Sequence, residues 1–216
     1  VTTFELPPLV DQAERLIELG VPDWISLEKA QLRALAGANG ESTGLLVLPQ
    51  VNPLQLAELM EHRNKSGFVV EDLQDLPSFM PFNVEVPQGQ AYLVSGLERG
   101  DEYSNETPNE TYPKLAARQR SPITITEGIF WILQRPDVLA RNKCFMTTGS
   151  RLRKTRRNLD ARTPALWISN GTGRDGKERR DAPPKSAGAG PATGTPGSAS
   201  HRPLAAKSSN AHSRAG

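Results

Sequence analysis

Cysteine and histidine are nearly absent from this chain, and their scarcity excludes much chemistry. Cys144 is the only cysteine in 216 residues, so no internal disulfide forms and a secreted disulfide scaffold is excluded. Of the three histidines, only His62 precedes residue 170, while His201 and His212 follow it. A Ser-His-Asp or Cys-His arrangement in the first 169 residues would have to use His62. No Cys or His pair has zinc spacing, so no metal centre of that kind is expected. A Walker loop, a dinucleotide fingerprint and a nucleophile elbow are missing too, and no cofactor is expected. No window approaches the roughly 18 apolar residues that cross a bilayer. Val1 to Pro8 carries neither a basic region nor an apolar stretch of signal length. These absences predict a cytoplasmic, reduced protein with no membrane attachment. The Asn-x-Ser/Thr sequences at Asn64, Asn105, Asn109 and Asn170 are then chance matches.

A second set of absences divides the chain. Trp167 is the last aromatic, no acid follows Asp181, and Leu204 is the only branched apolar residue after that point. Ala, Gly, Pro and Ser dominate there, and such a segment buries too little apolar surface to offset the entropy of ordering it. The expected organisation is one α+β domain over 1–169 and a disordered, basic Ala/Gly/Pro/Ser-rich tail over 170–216. Charge follows the same division. The tail holds 8 Lys/Arg and 3 acids, leaving 18 bases and 21 acids of the totals 26 and 24 for the body. The pI of 8.8 is therefore a property of the tail, and it gives little reason to read the folded part as a nucleic-acid binder.

What is present reads as alternating helices and short strands. Leu9, Ala13, Leu16 and Ile17 share a helical face, with Pro7-Pro8 before it and Gly20 after it. A second helix is predicted over Leu27 to Ala36, with Ser26 as its cap. Leu45 to Leu48 is a short buried strand, and Asn52-Pro53 opens a helix to about His62. Strands are expected at Phe68 to Val70 and Ala91 to Leu97. Thr107 with Glu110, and Thr124 with Glu127, each place a hydroxyl three residues before a glutamate, the signature of a capped helix start. The second opens an apolar helix that Pro136 ends. Cys144 to Thr148 and Ala165 to Ser169 read as strands joined by a basic loop, and the alternation indicates an α+β domain. Trp24 and Trp131 read as core residues.

Two polar clusters and two single residues are candidates for chemistry. Arg99, Asp101, Glu102, Asn105 and Glu106 form the densest polar group at a strand end, where loops often carry sites. Its carboxylates offer oxygen ligands to a hard cation or an acid/base pair; the alternative is a solvated turn leading into the Thr107 helix. Arg151, Arg153, Lys154, Arg156 and Arg157, followed by Arg162, form a basic loop fit to dock phosphates, or an ordinary charged hairpin tip. Cys144 stands beside Arg141 and Lys143, which would favour a thiolate, but between its neighbours it reads more readily as a small core hydrophobe. His62 reads as an exposed residue near a helix end.

Several stretches resemble a known family. Gly89-Gln90-Ala91-Tyr92-Leu93-Val94 with Glu98-Arg99-Gly100-Asp101-Glu102, Arg120-Ser121-Pro122-Ile123-Thr124 with Glu127-Gly128, Arg141-Asn142-Lys143-Cys144-Phe145, and Pro164-Ala165-Leu166-Trp167-Ile168-Ser169 look like an uncharacterised actinobacterial family of unknown function. Arg15-Leu16-Ile17-Glu18-Leu19-Gly20 is also similar, and the likeness spans roughly residues 9–169. It implies a single α+β cytosolic domain and brings no activity or site. Members continue after the last strand with a Trp- and Gly-rich segment that this chain lacks. With GC-rich codons, Gly188 to Ser200 back-translates so that the adjacent frame reads as such a segment. Residues after about Lys185 are therefore read as a frame-shifted translation, the alternative being a naturally evolved linker-like tail.

The function stays unknown at this level. The leading expectation is a non-catalytic cytoplasmic binding or interaction protein with an unidentified ligand or protein partner, using Arg99 to Glu106. The second is a nucleic-acid- or phosphate-binding accessory protein acting through the 151–157 loop, with nucleic acid the less favoured partner. The third is an enzyme using carboxylate acid/base chemistry.

Overall fold

Pro7 and Pro8 hold the chain extended, and the first helix begins directly after them as α1 (Leu9–Glu18). Leu9, Ala13 and Leu16 are buried on its inner face, and Gly20 at φ 72° forms its left-handed stop. The computed structural model describes residues 4–61, 66–140, 144–156, 158–168, 187–191, 195–196 and 198–203. Helix α2 (Lys29–Ala38) starts later than the sequence suggests, because Ser26 does not cap it. Ser26 instead takes a left-handed φ of 52° that closes the 3-10 turn Val21–Ile25. Strand β1 (Leu45–Val47) is fully buried. Helix α3 (Pro53–Glu58) opens as expected, with the Asn52 side chain accepting from the Leu54 amide at 2.9 Å. It ends at Glu58, and His62 lies outside the described residues.

Strands β2 (Phe68–Val69), β3 (Met80–Pro81) and β4 (Tyr92–Glu98) follow. Helix α4 (Pro108–Ala117), strand β5 (Ser121–Pro122) and helix α5 (Ile125–Gln134) come next, and both helices carry the capping boxes expected of Thr107 and Thr124. Strands β6 (Phe145–Met146), β7 (Ser150–Arg151) and β8 (Pro164–Ile168) complete the body as an α+β fold.

Three strands fall within the stretch expected as a tail. Ala187–Pro191, Thr195–Pro196 and Ser198–Pro203 are strands β9, β10 and β11. One sheet has the order β1-β4-β11-β5, a second β10-β6-β8-β9-β2, and a third pairs β3 with β7. β11 runs antiparallel to both β4 and β5, and β9 lies antiparallel to β8 and parallel to β2. Main-chain pairing is open to any non-proline residue, so a composition poor in apolar side chains does not keep a segment out of a sheet.

The core surrounds α5, which packs on β1, α3 and β8. Residues Ile125 and Glu127 to Gln134 of α5 are all buried. Trp131 has no exposed surface, and its ring lies 5.7 Å from those of Phe4 and Phe145. Trp24 does not join it. That residue is 40% exposed, because the 3-10 turn that carries it buries Val21 and Pro22 instead. A buried amide ties α1 to β1: Gln12 donates to the Gly44 carbonyl at 2.9 Å and accepts from the Leu46 amide at 2.9 Å. Such an amide specifies one docking geometry, since leaving its partners unbonded would cost about 1–3 kcal/mol.

Two glycines give opposite expectations. A Cβ on Gly149 would lie 2.7 Å from main-chain atoms of Pro122 and Ile123, so Gly149→Ala should destabilise the fold by about 1–3 kcal/mol. Gly37, inside α2, has open space around it, and Gly37→Ala should stabilise by roughly 0.5–1 kcal/mol. Urea unfolding of the two variants measures both, and like signs would refute the packing described.

Candidate functional site

Thr124, Ile125 and Glu127 are buried at the start of α5, and side chains satisfy their amides. Thr124 Oγ1 accepts from the Glu127 amide at 3.3 Å, and Glu127 Oε2 accepts from the Thr124 amide at 2.6 Å. Ser150 Oγ, brought in by β7, accepts from the Ile125 amide at 2.9 Å. The Glu127 carboxylate is fully buried and near the positive end of the helix, where negative charge is favoured. Its second oxygen accepts from the Tyr92 hydroxyl at 2.6 Å. Burial, and then the neighbouring Glu127 carboxylate, push the Tyr92 phenol far above its ordinary range. His201 of β11 comes to the same oxygen, with Nε2 at 2.9 Å, a close approach that is not aligned as a hydrogen bond.

Above this helix start lies a cleft of about 240 Å³. Pro49, Pro53, Pro77 and Pro81 contribute rigid apolar walls, with Phe79 and the exposed Met80 beside them. Tyr92, Thr124, Thr126 and Ser150 supply its polar atoms. No Asp, Glu, His or Cys is among its lining residues. A concave apolar pocket with a few hydroxyls at one end is the usual form of a small-ligand site.

The polar loop from Arg99 is organised as ion pairs. Arg99 is buried, forks onto Asp101 at 2.9 and 2.5 Å, and donates to the Val138 carbonyl at 3.1 Å. Glu102 accepts from Arg118 at 2.5 Å, and that hydrogen bond holds its carboxyl below the usual range. Glu106 pairs with Lys114 at 2.7 Å. Asn105, at φ 69°, turns the chain toward the Thr107 cap. Each acid of the group is thus bonded to a base. Among the described residues no group of three or more His, Cys, Asp or Glu is placed to hold a metal ion.

The basic loop divides into structural and exposed members. Arg151 is buried, donating to the Asp160 carbonyl at 2.9 Å and to the Tyr112 hydroxyl at 3.3 Å. Arg153 lies over the Phe82 ring at 5.6 Å, and Lys154 pairs with Asp160 at 3.3 Å. Arg153, Lys154 and Arg156 are exposed, and Arg157 lies outside the described residues. Arg162 bridges Asp160 and Asp75, at 3.1 and 2.7 Å. Hydrogen bonds from the Arg162 side chain, and then its amide, hold the Asp160 carboxyl far below the ordinary carboxylate range. Cys144 is half-buried, and burial pushes its thiol up, the behaviour of a packing residue. Arg141 and Lys143 lie outside the described residues.

Sequence reasoning did not anticipate the Tyr92–Glu127 pair or the cleft. The Thr124 box identified Glu127 as a cap, but one hydrogen bond per oxygen is all the motif implies. A buried glutamate in an apolar segment carried the remaining signal, since such a group needs a second partner.

The chain belongs to a family described as a family of unknown function (DUF5701), whose model matches residues 15–187. No curated protein and no solved structure matches. Among the described residues no helix is long and apolar enough to cross a membrane.

The Asp160 geometry predicts an acid sensitivity. Its folded pKa is depressed, so its stabilisation is present above the unfolded value of about 3.9 and is lost as pH falls below it. Asp160→Asn should lower stability at neutral pH and flatten the fall below about pH 4. Melting curves from pH 7 to pH 2 measure this, and parallel curves for the two proteins would refute it.

Proposed function

We propose a non-catalytic, cytoplasmic binding protein of actinobacterial origin whose contact surface is the cleft at the start of α5; family membership assigns no activity. The observation that supports this reading is the chemistry of the lining: proline and aromatic walls, hydroxyls at one end, and no group that transfers protons near neutral pH. The one carboxylate close by, Glu127, is fully buried, caps the helix and holds Tyr92. Carboxylate acid/base chemistry would need an acid facing the pocket. A neutral, compact ligand with an apolar body and one or two hydrogen-bonding atoms suits such walls. The outer edge of the Arg99–Glu106 loop, where Asp101 and Glu102 are each 40% exposed at the side chain, is a second contact surface within the same reading.

The phosphate- or nucleic-acid-binding reading has one supporting observation. Arg153, Lys154 and Arg156 are exposed together at a loop tip. Retention on immobilised nucleic acid would then fall steeply with salt, and Arg153→Ala with Arg156→Ala would abolish it.

We also propose that residues after about Lys185 are a frame-shifted translation. The family match ends at residue 187, where β9 begins. β9 and β11 lie inside their sheets, a setting that branched apolar and aromatic residues normally fill. Here they are Ala-Gly-Ala-Gly-Pro and Ser-Ala-Ser-His-Arg-Pro. Resequencing the DNA decides it, and an intact frame with no family-like reading in the neighbouring one would end the idea.

The binding reading is tested by titrating a set of neutral small amides and alcohols into the labelled protein by NMR. The expected result is weak, saturable binding, with Kd about 1 mM, and shifts concentrated at Tyr92, Thr124, Thr126 and Ser150. Thr126→Trp, which fills the cleft from a half-buried position, should remove them. Shifts scattered over the surface, or unaltered by Thr126→Trp, would overturn the reading.

A further inference from the structure

We propose that His201 is a proton-operated latch: with a proton added, its imidazole pairs with the buried carboxylate of Glu127 and clamps β11 into its sheet, and loss of that proton loosens the strand. The proposal does not depend on the cleft, and it concerns the segment this chain carries, whatever the reading frame of its DNA.

Three titratable side chains meet at the start of α5. Glu127 has no exposed surface and Tyr92 of β4 is 1% exposed, while the His201 side chain of β11 is 6% exposed. The Tyr92 hydroxyl donates to Glu127 Oε1 at 2.6 Å, and His201 Nε2 stands 2.9 Å from the same oxygen. The imidazole also lies against the Tyr92 ring, with 6.1 Å between centroids and 36° between planes. β11 is held by main-chain pairing to β4 and β5, and through His201 it also reaches α5.

A lone pair on Nε2 facing a carboxylate oxygen at this distance would be repelled, so that nitrogen carries a proton. The neutral tautomer meets this condition but leaves the carboxylate charge unbalanced. Among the described residues neither Lys nor Arg pairs with Glu127. A second proton, on Nδ1, turns the contact into an ion pair inside the protein, where opposite charges attract most strongly. Desolvation opposes such pairs. The carboxylate already sits in the interior as the cap of α5, so the added desolvation is that of the imidazole alone.

The other titratable groups around the strand do not respond in the same range. Burial, and then the Glu127 charge, keep the Tyr92 phenol protonated. Glu98, opposite Ser198 on β4, pairs with Arg120 at 3.4 Å. β5 consists of Ser121 and Pro122, neither of which titrates. Arg202, beside His201 in the sequence, stays charged throughout. An imidazole in water changes charge near about pH 6.5, where carboxylates are already ionised. The docked strand favours the protonated imidazole, so the latch holds on the acid side of that range and releases as pH rises through it. Protonation of the carboxylate in stronger acid releases it again.

Hydrogen exchange on the full chain, corrected for the intrinsic pH dependence of amide exchange, reads the latch. Protection of the 199–202 amides should be about tenfold greater at about pH 5.5 than at about pH 8. His201→Gln keeps a donor of similar reach but cannot take the proton, and it should bring that ratio to about one. Glu127→Gln still offers a carbonyl oxygen to cap α5 and should do the same. The His201 ring signals, followed by NMR in the unaltered protein, should move with pH in step with the 199–202 protection, which keeps the test decisive if a variant fails to fold. Equal protection at the two pH values, greater protection at the higher one, a ratio retained in His201→Gln, or ring signals out of step with protection would each overturn the proposal.

Discussion

The start of α5 is buried at Thr124, Ile125 and Glu127, and much of the fold is arranged around satisfying their amides. Thr124 and Glu127 satisfy one another's main chain, and Ser150 crosses from β7 to take the Ile125 amide. Bringing Glu127 into the interior creates a second demand, because a buried carboxylate oxygen without a partner is costly. Tyr92 meets it from β4. One capping problem thus fixes a helix, the first sheet and the β3–β7 pair relative to one another. The cleft opens where these three elements meet.

The remaining polar groups of the body mostly hold loops in place. Arg99 ties its turn to Val138, Arg118 and Lys114 fasten α4 to the same turn, and Arg162 joins the segment before β3 to the one before β8. Exposed pairs of this type contribute little individually, up to about 1 kcal/mol. Their value lies in fixing the paths of segments that have few hydrogen bonds of their own. The cleft is a different environment, with hydroxyls but no carboxylate among its lining residues.

Helix starts were legible in the sequence because capping is local. Asn52, Thr107 and Thr124 act within three residues of themselves, and all three do what their spacing implies. The apolar run of α5 likewise announced a buried helix. Ser26 misled because a serine before a helix and a serine in a left-handed turn look alike without the backbone angle. Trp24 misled because an aromatic among apolar neighbours is buried only if the turn faces inward. The strands after residue 186 were not legible at all. Their pairing is set by open edges on β4 and β8, which belong to other parts of the chain. The Tyr92–Glu127 bond joins residues 35 positions apart and has no local signature. The cleft is the product of such distant contacts.

The three tryptophans occupy three different settings. Trp24 is 40% exposed and Trp131 is sealed between two phenylalanines. Trp167 is half-buried, edge-on to Phe68 at 6.2 Å, and paired in register with Gly188. An indole opposite a glycine has no side chain covering it from that neighbour, so its surroundings change whenever β9 lifts away. The molecule therefore carries an intrinsic optical gauge: the emission wavelength of one indole tracks docking of the last segment, while the other two report solvent and interior as fixed references.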